Sequence, residues 1–342
     1  MNKQIPLLER YPIYEQSHQR EMKIMILSQA SGLIERLSEK LEQFGLTAER
    51  IDYTKPFLSQ ISDANVLVNG LGKVDKTLID SCPKLKLIHQ VGTGIDNVDV
   101  RYCTLKSIHV ANVPHFNNVA VAEHTLFLMI YMAKNMKSAG EGLMKRRVLN
   151  VLGSELHDKH LTIIGLGATG IEVAKRANCF GMHVSAVTKH PTSNRSSNGG
   201  MNFIDQIQRV EHLNDLLATA DYVSIHIPLT NNTQGLIGAT ELNSMKKSAF
   251  LINAARAQIV IREALYNILY SKKIAGAAFD VFWEEPADPN DRLLKLDNFI
   301  LTPHIAGWTA EAAETTTSLI AANIDRVLNS REKPITLVNL SS

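Results

Sequence analysis

Short apolar runs alternate with helical periods along nearly the whole chain, and this alternation limits the possible folds more than any other feature of the sequence. Residues 23–28 predict a strand. Leu33, Leu37 and Leu41 then recur at the spacing of one helix face, and Gly45 is the predicted helix stop. Strands that alternate with helices form parallel sheets covered on both faces. The pattern therefore predicts an α/β protein.

Two series of this kind flank one long apolar segment. The first continues with strands predicted at 66–69, 85–91 and 108–110. The segment 118–139 predicts a single helix, apolar nearly all round in its first half, which indicates burial between domains, across a subunit interface, or both. The second series predicts strands at 161–165, 183–187, 222–227, 249–253, 275–281 and 299–301, and helices at 170–180, 210–218, 261–271 and 309–328.

Length and composition exclude several classes of protein. A chain of 342 residues is expected to form about two domains. Hydrophobic residues make up 45% and charged residues 20%, so a disordered or fibrous protein is excluded. The net charge of +2, without a long block of like charge, argues against an extended surface for nucleic acid or membrane.

The cysteines and the apolar stretches bear on the compartment. Cys82, Cys103 and Cys179 are far apart and in no CxxC pair, so we expect neither a disulfide framework nor a metal site. Residues 1–20 carry charges and lack the apolar run of a signal peptide. The longest apolar stretch, 119–133, falls short of the roughly twenty residues that cross a bilayer. We therefore expect a soluble, cytoplasmic protein.

A glycine motif directly follows one predicted strand and directly precedes a helix. It reads Gly165-Leu166-Gly167-Ala168-Thr169-Gly170. Gly165 permits the tight turn, Gly167 lets backbone approach a pyrophosphate, and Gly170 lets helix and strand pack closely. The diphosphate then lies on free amides at the positive end of the helix. The motif predicts a dinucleotide site.

The end of the next strand indicates which dinucleotide binds. NAD enzymes usually carry an acid there for the ribose 2′-hydroxyl, whereas Val187 is followed by Thr188, Lys189 and His190, with Arg195 nearby. A hydroxyl and cations suit a 2′-phosphate. We therefore expect NADP(H) to be favoured, with NAD(H) as the open alternative.

Three segments beyond the motif carry ionisable groups near strand ends, where α/β sheets present ligands. They are Asn253-Ala254-Ala255-Arg256, the run from Asp280 to Pro286, and Thr302-Pro303-His304-Ile305-Ala306-Gly307. Arg256, Glu285 and His304 make up a set suited to hydride transfer. Four more motifs accompany them: Leu85-Lys86-Leu87-Ile88, Gly92-Thr93-Gly94-Ile95-Asp96-Asn97-Val98-Asp99, Val121-Ala122-Glu123-His124 and His226-Ile227-Pro228-Leu229-Thr230.

In these motifs and their order, the chain resembles the D-2-hydroxyacid dehydrogenase family, over residues 23 to about 335. The resemblance implies that Arg256 holds the substrate carboxylate and polarises its carbonyl. It implies that His304 donates a proton to the developing alkoxide. Glu285 would hydrogen-bond the other ring nitrogen of His304, fixing the tautomer and favouring the protonated ring.

The resemblance also implies contacts to the cofactor and the substrate. Asp280 would reach the nicotinamide carboxamide, and backbone amides at 69–73 and 92–94 would meet the substrate carboxylate. His226 either lines the cofactor cleft or caps its strand. The expected cofactor-binding residues are Gly165, Gly167, Ala168, Thr169, Gly170, Thr188, Lys189, His226, Ala254 and Asp280. The expected substrate-binding residues are Leu71, Gly72, Gly94 and Arg256.

Two positions depart from the family pattern. Ala257 stands where the family usually has glycine, and its methyl group could alter the shape of the pocket. The acidic residue usual shortly afterwards is replaced in Val260-Ile261-Arg262-Glu263. Neither departure removes a catalytic group.

The implied architecture is two Rossmann-like domains with a cleft between them. A flavodoxin-like substrate domain would comprise 1–115 and 312–342, and a dinucleotide domain 116–311, with a homodimer formed through 118–147. Phosphite oxidation on the same site and an NAD(H)-sensing corepressor module remain as alternatives. Formate oxidation is disfavoured because the formate enzymes carry glutamine in place of Glu285. The identity of the 2-keto acid is left open.

Overall fold

The two predicted arrays form two separate parallel sheets. In the computed structural model, the described residues are 22–28, 31–148, 151–189 and 202–339. Their strands pair only in parallel, in one sheet of five strands and one of seven. The predicted α/β fold with two parallel sheets is therefore confirmed. Residues 1–20, for which we expected no signal peptide, lie outside the described residues.

The first sheet has the strand order β2-β1-β3-β4-β5, as in flavodoxin-like folds. Its strands are β1 Ile24–Leu27, β2 Ala48–Arg50, β3 Val66–Asn69, β4 Leu87–Gln90 and β5 His109–Ala111. Its helices are α1 Ser31–Glu42, α2 Phe57–Ile61, α3 Lys76–Asp80 and α4 Val100–Leu105. Every residue of β1, β3 and β4 is buried, because helices cover both faces of the sheet.

Two helices, rather than one, follow the first sheet. The single helix predicted over 118–139 is wrong: α5 Asn118–Ala133 ends before α6 Met136–Met144 begins. Asn135 between them has a φ of 51°, in the left-handed region, which interrupts a right-handed helix. One face of α5 packs Leu126 and Met129 into the core of the second sheet, whereas Phe127 on another face remains 49% exposed.

The second sheet has the order β12-β11-β10-β9-β6-β7-β8, so the chain reverses direction across the sheet between β6 and β9. Its strands are β6 His160–Ile164, β7 His183–Val187, β8 Gln206–Gln208, β9 Tyr222–Ile225, β10 Phe250–Asn253, β11 Gly276–Phe279 and β12 Phe299–Leu301. Its helices are α7 Ala168–Cys179, α8 Leu213–Thr219, α9 Ala239–Ser244 and α10 Arg262–Tyr270. Such a switch point in strand order is where open α/β sheets bind ligands.

The last helix returns to the first sheet. It is α11, Ala310–Asp325, which continues as a π-helical turn over Arg326–Ser330. Ile320 and Ile324 of this helix share a core with Leu37 of α1, and the Val338 amide donates to the Val110 carbonyl at 2.7 Å. This packing supports the discontinuous substrate domain, whose boundaries at 115/116 and 311/312 stay predictions.

Within the described ranges, no helix combines the length and the apolar character needed to cross a membrane.

Candidate active site

Three neighbouring strands present the predicted catalytic segments along one edge of the second sheet. The register pairs Asn253 with Phe279, and Phe279 with Leu301. The segments that follow β10, β11 and β12 therefore begin side by side at the carboxyl edge. They carry Arg256, Glu285 and His304, although these residues are far apart along the chain.

Glu285 and His304 form a direct pair. The Nδ1 atom of His304 lies 2.7 Å from Oε2 of Glu285, and the second oxygen, Oε1, accepts the Phe282 amide at 2.9 Å. His304 has a φ of 56°, a left-handed conformation that is uncommon outside glycine. Because Nδ1 is engaged, Nε2 is the ring nitrogen left for proton transfer.

The surroundings of Glu285 keep it ionised. Burial raises the pKa of this carboxyl, but the hydrogen bond and charge of His304, the Phe282 amide and the Arg256 guanidinium outweigh burial and leave the pKa lowered. The guanidinium is therefore close enough to act on the same carboxylate as the imidazole. Arginine, glutamate and histidine are brought to one place.

Asp280 holds the loop that carries His304. Its side chain is 1% exposed, and its oxygens accept the Thr302 hydroxyl at 2.5 Å and the amides of Ile305 and Ala306 at 3.0 and 2.7 Å. We expected this carboxylate to reach the nicotinamide carboxamide. In the structure Asp280 contacts the 302–306 loop and lies 3.5 Å, through Oδ1, from His124 Nε2 of α5. It therefore positions this loop, and its contact with the carboxamide stays a prediction.

Arg256 reaches across to the first sheet. Its Nε lies 3.2 Å from each carboxylate oxygen of Asp96, and its Nη1 donates to the Ala255 carbonyl at 2.9 Å. A side chain at Gly94 would overlap the guanidinium, so glycine is required there for the approach. Asp96 lies in a motif that carried the resemblance, but its role as the partner of Arg256 could not be read from the sequence.

The loop after β3 contains backbone amides that donate no hydrogen bond within the described part of the chain. None of the amides of Leu71, Gly72 and Lys73 donates a hydrogen bond to a described residue. Side-chain amides hold the carbonyls of this loop instead: Gln90 donates to the Gly70 carbonyl, and Asn69 donates to that of Gly72 at 2.8 Å.

Asn97 adds a second donor to the Gly72 carbonyl, also at 2.8 Å, and Asn69 donates to Gln90 Oε1 at 2.9 Å. We call Asn69, Gln90 and Asn97 the amide clamp. Because the clamp fixes the carbonyls, the amides of Leu71 to Lys73 are left for an anion.

The glycine turn fits a dinucleotide phosphate. Gly165 has a φ of 104°, and a side chain at Gly170 would overlap the Gly165 carbonyl, so both glycines serve the turn and its packing. A Cβ at Gly167 would meet nothing within 4 Å, which leaves open space in front of the first turn of α7. Ala168 opens that helix, while the Thr169 hydroxyl donates to Asn118 of α5 at 3.0 Å and so serves packing.

The backbone of His226 packs against the glycine turn. Its carbonyl would lie 2.6 Å from a Cβ at Gly165, and its Nε2 lies 2.7 Å from the Ser224 hydroxyl. Burial lowers the pKa of His226 to about 4, so the ring is neutral. These contacts favour the structural alternative for this residue. Ala254 lies half-buried just beyond β10.

A cation that the sequence did not single out lies beside the expected 2′-phosphate residues. The Thr188 amide donates to the Gln208 carbonyl at 3.0 Å, so Arg209 follows the neighbouring strand end. Lys189 and Arg209 are exposed, and neither forms an ion pair with a described residue. His190 and Arg195 lie outside the described residues. Arg209 was missed because β8 is short and polar and was not predicted.

The two departures from the family pattern have different surroundings. Ala257 is 1% exposed, and the effect of its methyl group on the pocket stays a prediction. Arg262 forms an ion pair with Asp291 and lies over the rings of Phe282 and Trp283, with its CZ atom 5.4 and 5.7 Å from their centroids. Arg262 therefore stabilises the segment that leads to Glu285.

The chain is similar to known proteins over most of its length. The family model described as "D-isomer specific 2-hydroxyacid dehydrogenase, NAD binding domain" matches residues 126–306. A D-3-phosphoglycerate dehydrogenase of Methanocaldococcus jannaschii is 38% identical over 87% of this chain and 55% of its own length. A glyoxylate reductase of Thermococcus litoralis is 36% identical over 78% of this chain and 81% of its own length.

A solved structure agrees in fold. The D-lactate dehydrogenase of Aquifex aeolicus, complexed with NAD and lactic acid, has a TM-score of 0.81 and 26% identity, with 93% of this chain and all of that chain covered. The chain spans about half the length of the phosphoglycerate dehydrogenases it matches. The family match over more than half of the sequence, together with these relatives, shows that the chain belongs to the D-isomer specific 2-hydroxyacid dehydrogenase family.

Proposed function

We propose that this protein reduces a small 2-keto acid to the corresponding D-2-hydroxy acid with a reduced nicotinamide dinucleotide. The observation that carries the proposal is the pair of His304 and Glu285, 2.7 Å apart, beside the Arg256 guanidinium at adjacent strand ends. A proton donor and a fixed cation near one point suit a carbonyl that gains a hydride.

Each residue then has a defined task. Arg256, oriented by Asp96, binds the substrate carboxylate and polarises the keto oxygen. His304 donates a proton from Nε2 to that oxygen as negative charge develops on it, and Glu285 accepts a hydrogen bond from Nδ1 and so fixes the orientation of the ring. A nicotinamide dinucleotide, when bound, supplies the hydride. The free amides of Leu71 to Lys73 complete the carboxylate site.

We propose NADP(H) as the favoured cofactor. A hydroxyl and two cations lie at adjacent strand ends on the side of the glycine turn, in Thr188, Lys189 and Arg209. No carboxylate accompanies Thr188 and Lys189 directly after β7. Charge-assisted hydrogen bonds from these groups suit a 2′-phosphate. A solved relative binds NAD, so the ratio of kcat/KM for NADPH and NADH is the deciding measurement. A ratio favouring NADH would contradict the proposal.

A substrate panel tests the function directly. Purified full-length protein is assayed for nicotinamide oxidation with glyoxylate, hydroxypyruvate, pyruvate and 3-phosphohydroxypyruvate, each with NADPH and with NADH. We expect turnover with at least one 2-keto acid. Nicotinamide reduction by phosphite without keto-acid turnover would support the phosphite alternative. Cofactor binding without turnover of any substrate would support a binding module.

We also propose a homodimer through the 118–147 region, in the cytoplasm. Phe127, Leu143 and Met144 are 49, 71 and 85% exposed, which is a high exposure for apolar side chains on one pair of helices. The molar mass in solution, measured by light scattering, is expected to be twice the chain mass. A monomer would contradict this part of the proposal.

A further inference from the structure

The motif residue His124 makes polar contacts that the proposed mechanism does not use. It lies on α5, with its side chain 14% exposed, and its Nε2 is 2.9 Å from the Thr302 hydroxyl and 3.5 Å from Asp280 Oδ1. Thr302 directly follows β12 and lies two residues before His304. A helix outside the catalytic strands therefore touches the loop that carries the proton donor.

The direction of the hydrogen bonds follows from their partners. Asp280 is a carboxylate acceptor that already receives the amides of Ile305 and Ala306, so the Thr302 hydroxyl, 2.5 Å away, must donate to it. A hydroxyl has one proton, so Thr302 must accept from His124. The Nε2 atom of His124 therefore carries a hydrogen. Burial lowers the pKa of His124 although Asp280 opposes this effect, so the ring acts as a neutral donor.

We propose that His124 is a positioning residue that, by donating to Thr302, fixes the hydroxyl on Asp280 and so holds the 302–306 loop in the conformation that His304 needs. This inference rests on the proposed function. The loop needs such support because His304 has a left-handed backbone, which is kept only where its surroundings determine it. Its own amide donates to the Asp280 carbonyl at 2.9 Å, so Asp280 is the common anchor.

The same contacts connect the loop to the surface of α5. The His124 ring lies 5.6 Å from the ring of Phe127, which is half exposed on the face proposed for subunit contact. A partner subunit that orders this face would also order His124, and through it the loop.

The test compares two substitutions at one position. His124→Leu removes the donor, whereas His124→Gln keeps an N–H at a similar distance from the helix. For His124→Leu we expect kcat to fall by about 10- to 100-fold, because small displacements of a catalytic group cost that much. The KM for the dinucleotide is expected to stay within about twofold of wild type, and His124→Gln to recover most of the loss.

Thr302→Val and Thr125→Val complete the design. Thr302→Val removes the acceptor of the same hydrogen bond. Combining it with His124→Leu is therefore expected to cause little further loss of kcat. Thr125 is buried on the same helix, and its hydroxyl bonds only the Val121 carbonyl at 2.7 Å among described residues. Thr125→Val is therefore the matched control with unchanged kcat. Equal activity of the Leu and wild-type proteins, or equal loss in the Leu and Gln variants, would overturn the inference.

A readout without turnover separates this inference from the proposed function. Amide hydrogen exchange of a peptide covering 302–306 is expected to speed up in His124→Leu and not in His124→Gln or Thr125→Val. If the wild-type protein reduces no 2-keto acid but exchange responds in this way, the proposed function fails and the positioning role stands. Unchanged exchange in His124→Leu would contradict the positioning role itself.

Discussion

The two sheets contribute to the candidate site in chemically different ways. The seven-stranded sheet supplies ionisable side chains, Arg256, Glu285 and His304, at its carboxyl edge. The five-stranded sheet supplies mostly backbone amides, oriented by the neutral side chains of the amide clamp. Asp96 brings a charge from the first sheet to the second, by its contact with Arg256. In the proposed function, one side therefore serves proton and charge transfer and the other serves shape and anion binding.

In the proposed function, the two sheets control different kinetic constants. Proton transfer depends on the ionisable groups, so changes in the second sheet are expected to alter kcat. Free amides bind the ground state and the transition state alike, so changes in the clamp are expected to alter KM.

The strongest test on the charged side is His304→Ala. We expect kcat to fall by about 10²- to 10⁴-fold, since the general acid is lost, while the affinity for the dinucleotide is unchanged. Steady-state assays with the best keto acid give kcat, and titration of nicotinamide fluorescence gives the affinity. Wild-type turnover in this variant would refute the catalytic assignment.

Glu285→Gln tests the pair with the ring in place. We expect kcat to fall by roughly 10- to 100-fold, the value of a hydrogen bond to a charged group. In wild type the pKa of Glu285 is lowered, so the carboxylate is lost only below its ordinary value of 4.5. Steady-state assays above that pH therefore compare the ionised glutamate with the neutral glutamine. Wild-type kcat in this variant would contradict the pairing.

Gln90→Met tests the amide clamp. The loss of its bonds to Gly70 and Asn69 is expected to raise KM for the keto acid by about 5- to 30-fold, with kcat nearly unchanged, because each neutral hydrogen bond contributes about 1 kcal/mol. Gln60→Met is the matched control, since the Gln60 side chain also holds a backbone carbonyl, that of Asp52 at 2.9 Å. A fall in kcat without a change in KM would contradict the division between the two sheets.

Acid stability compares the two sheets through one histidine with a lowered pKa in each: His89, which is fully buried, and His226, which is half-buried. Burial lowers the pKa of His89 and of His226 to about 4, from 6.5. Below pH 6.5 the unfolded chain binds these protons first, so stability present at neutral pH is lost as pH falls toward 4. Each histidine should cost about 1 kcal/mol between about pH 7.5 and 5.5. Urea unfolding of His89→Gln and His226→Gln should show a correspondingly weaker pH dependence; an unchanged dependence would contradict burial of the neutral rings.

Apolar strands could be predicted closely from the sequence. The bounds of Val66–Asn69, His183–Val187 and Phe299–Leu301 match the prediction, because each is a short run of β-forming residues at a clear break in the pattern. The edge strands Ala48–Arg50 and Gln206–Gln208 were missed, because three-residue strands with polar side chains lack that pattern. The left-handed break at Asn135 was missed because nothing in the apolar pattern marks it.

The residues of the candidate site also divide into those that could be predicted from the sequence and those that could not. Arg256, Glu285 and His304 carry ionisable groups beside predicted strands, so their positions could be chosen from the sequence. Gln90 and His124 could not, because their tasks arise only from contacts between distant segments. The chemical type of each side chain can be read from the sequence, whereas the orientation of backbone amides and loops depends on tertiary structure.

In the proposed mechanism, groups from both sheets act on one 2-keto acid during a single hydride transfer. A single-turnover experiment is the test: the protein loaded with NADPH is mixed with hydroxypyruvate, nicotinamide oxidation is followed, and the glycerate formed is resolved into its enantiomers. We predict one nicotinamide oxidised for each occupied site, with D-glycerate as the product. Formation of L-glycerate, or no oxidation with any 2-keto acid of the panel, would contradict the account.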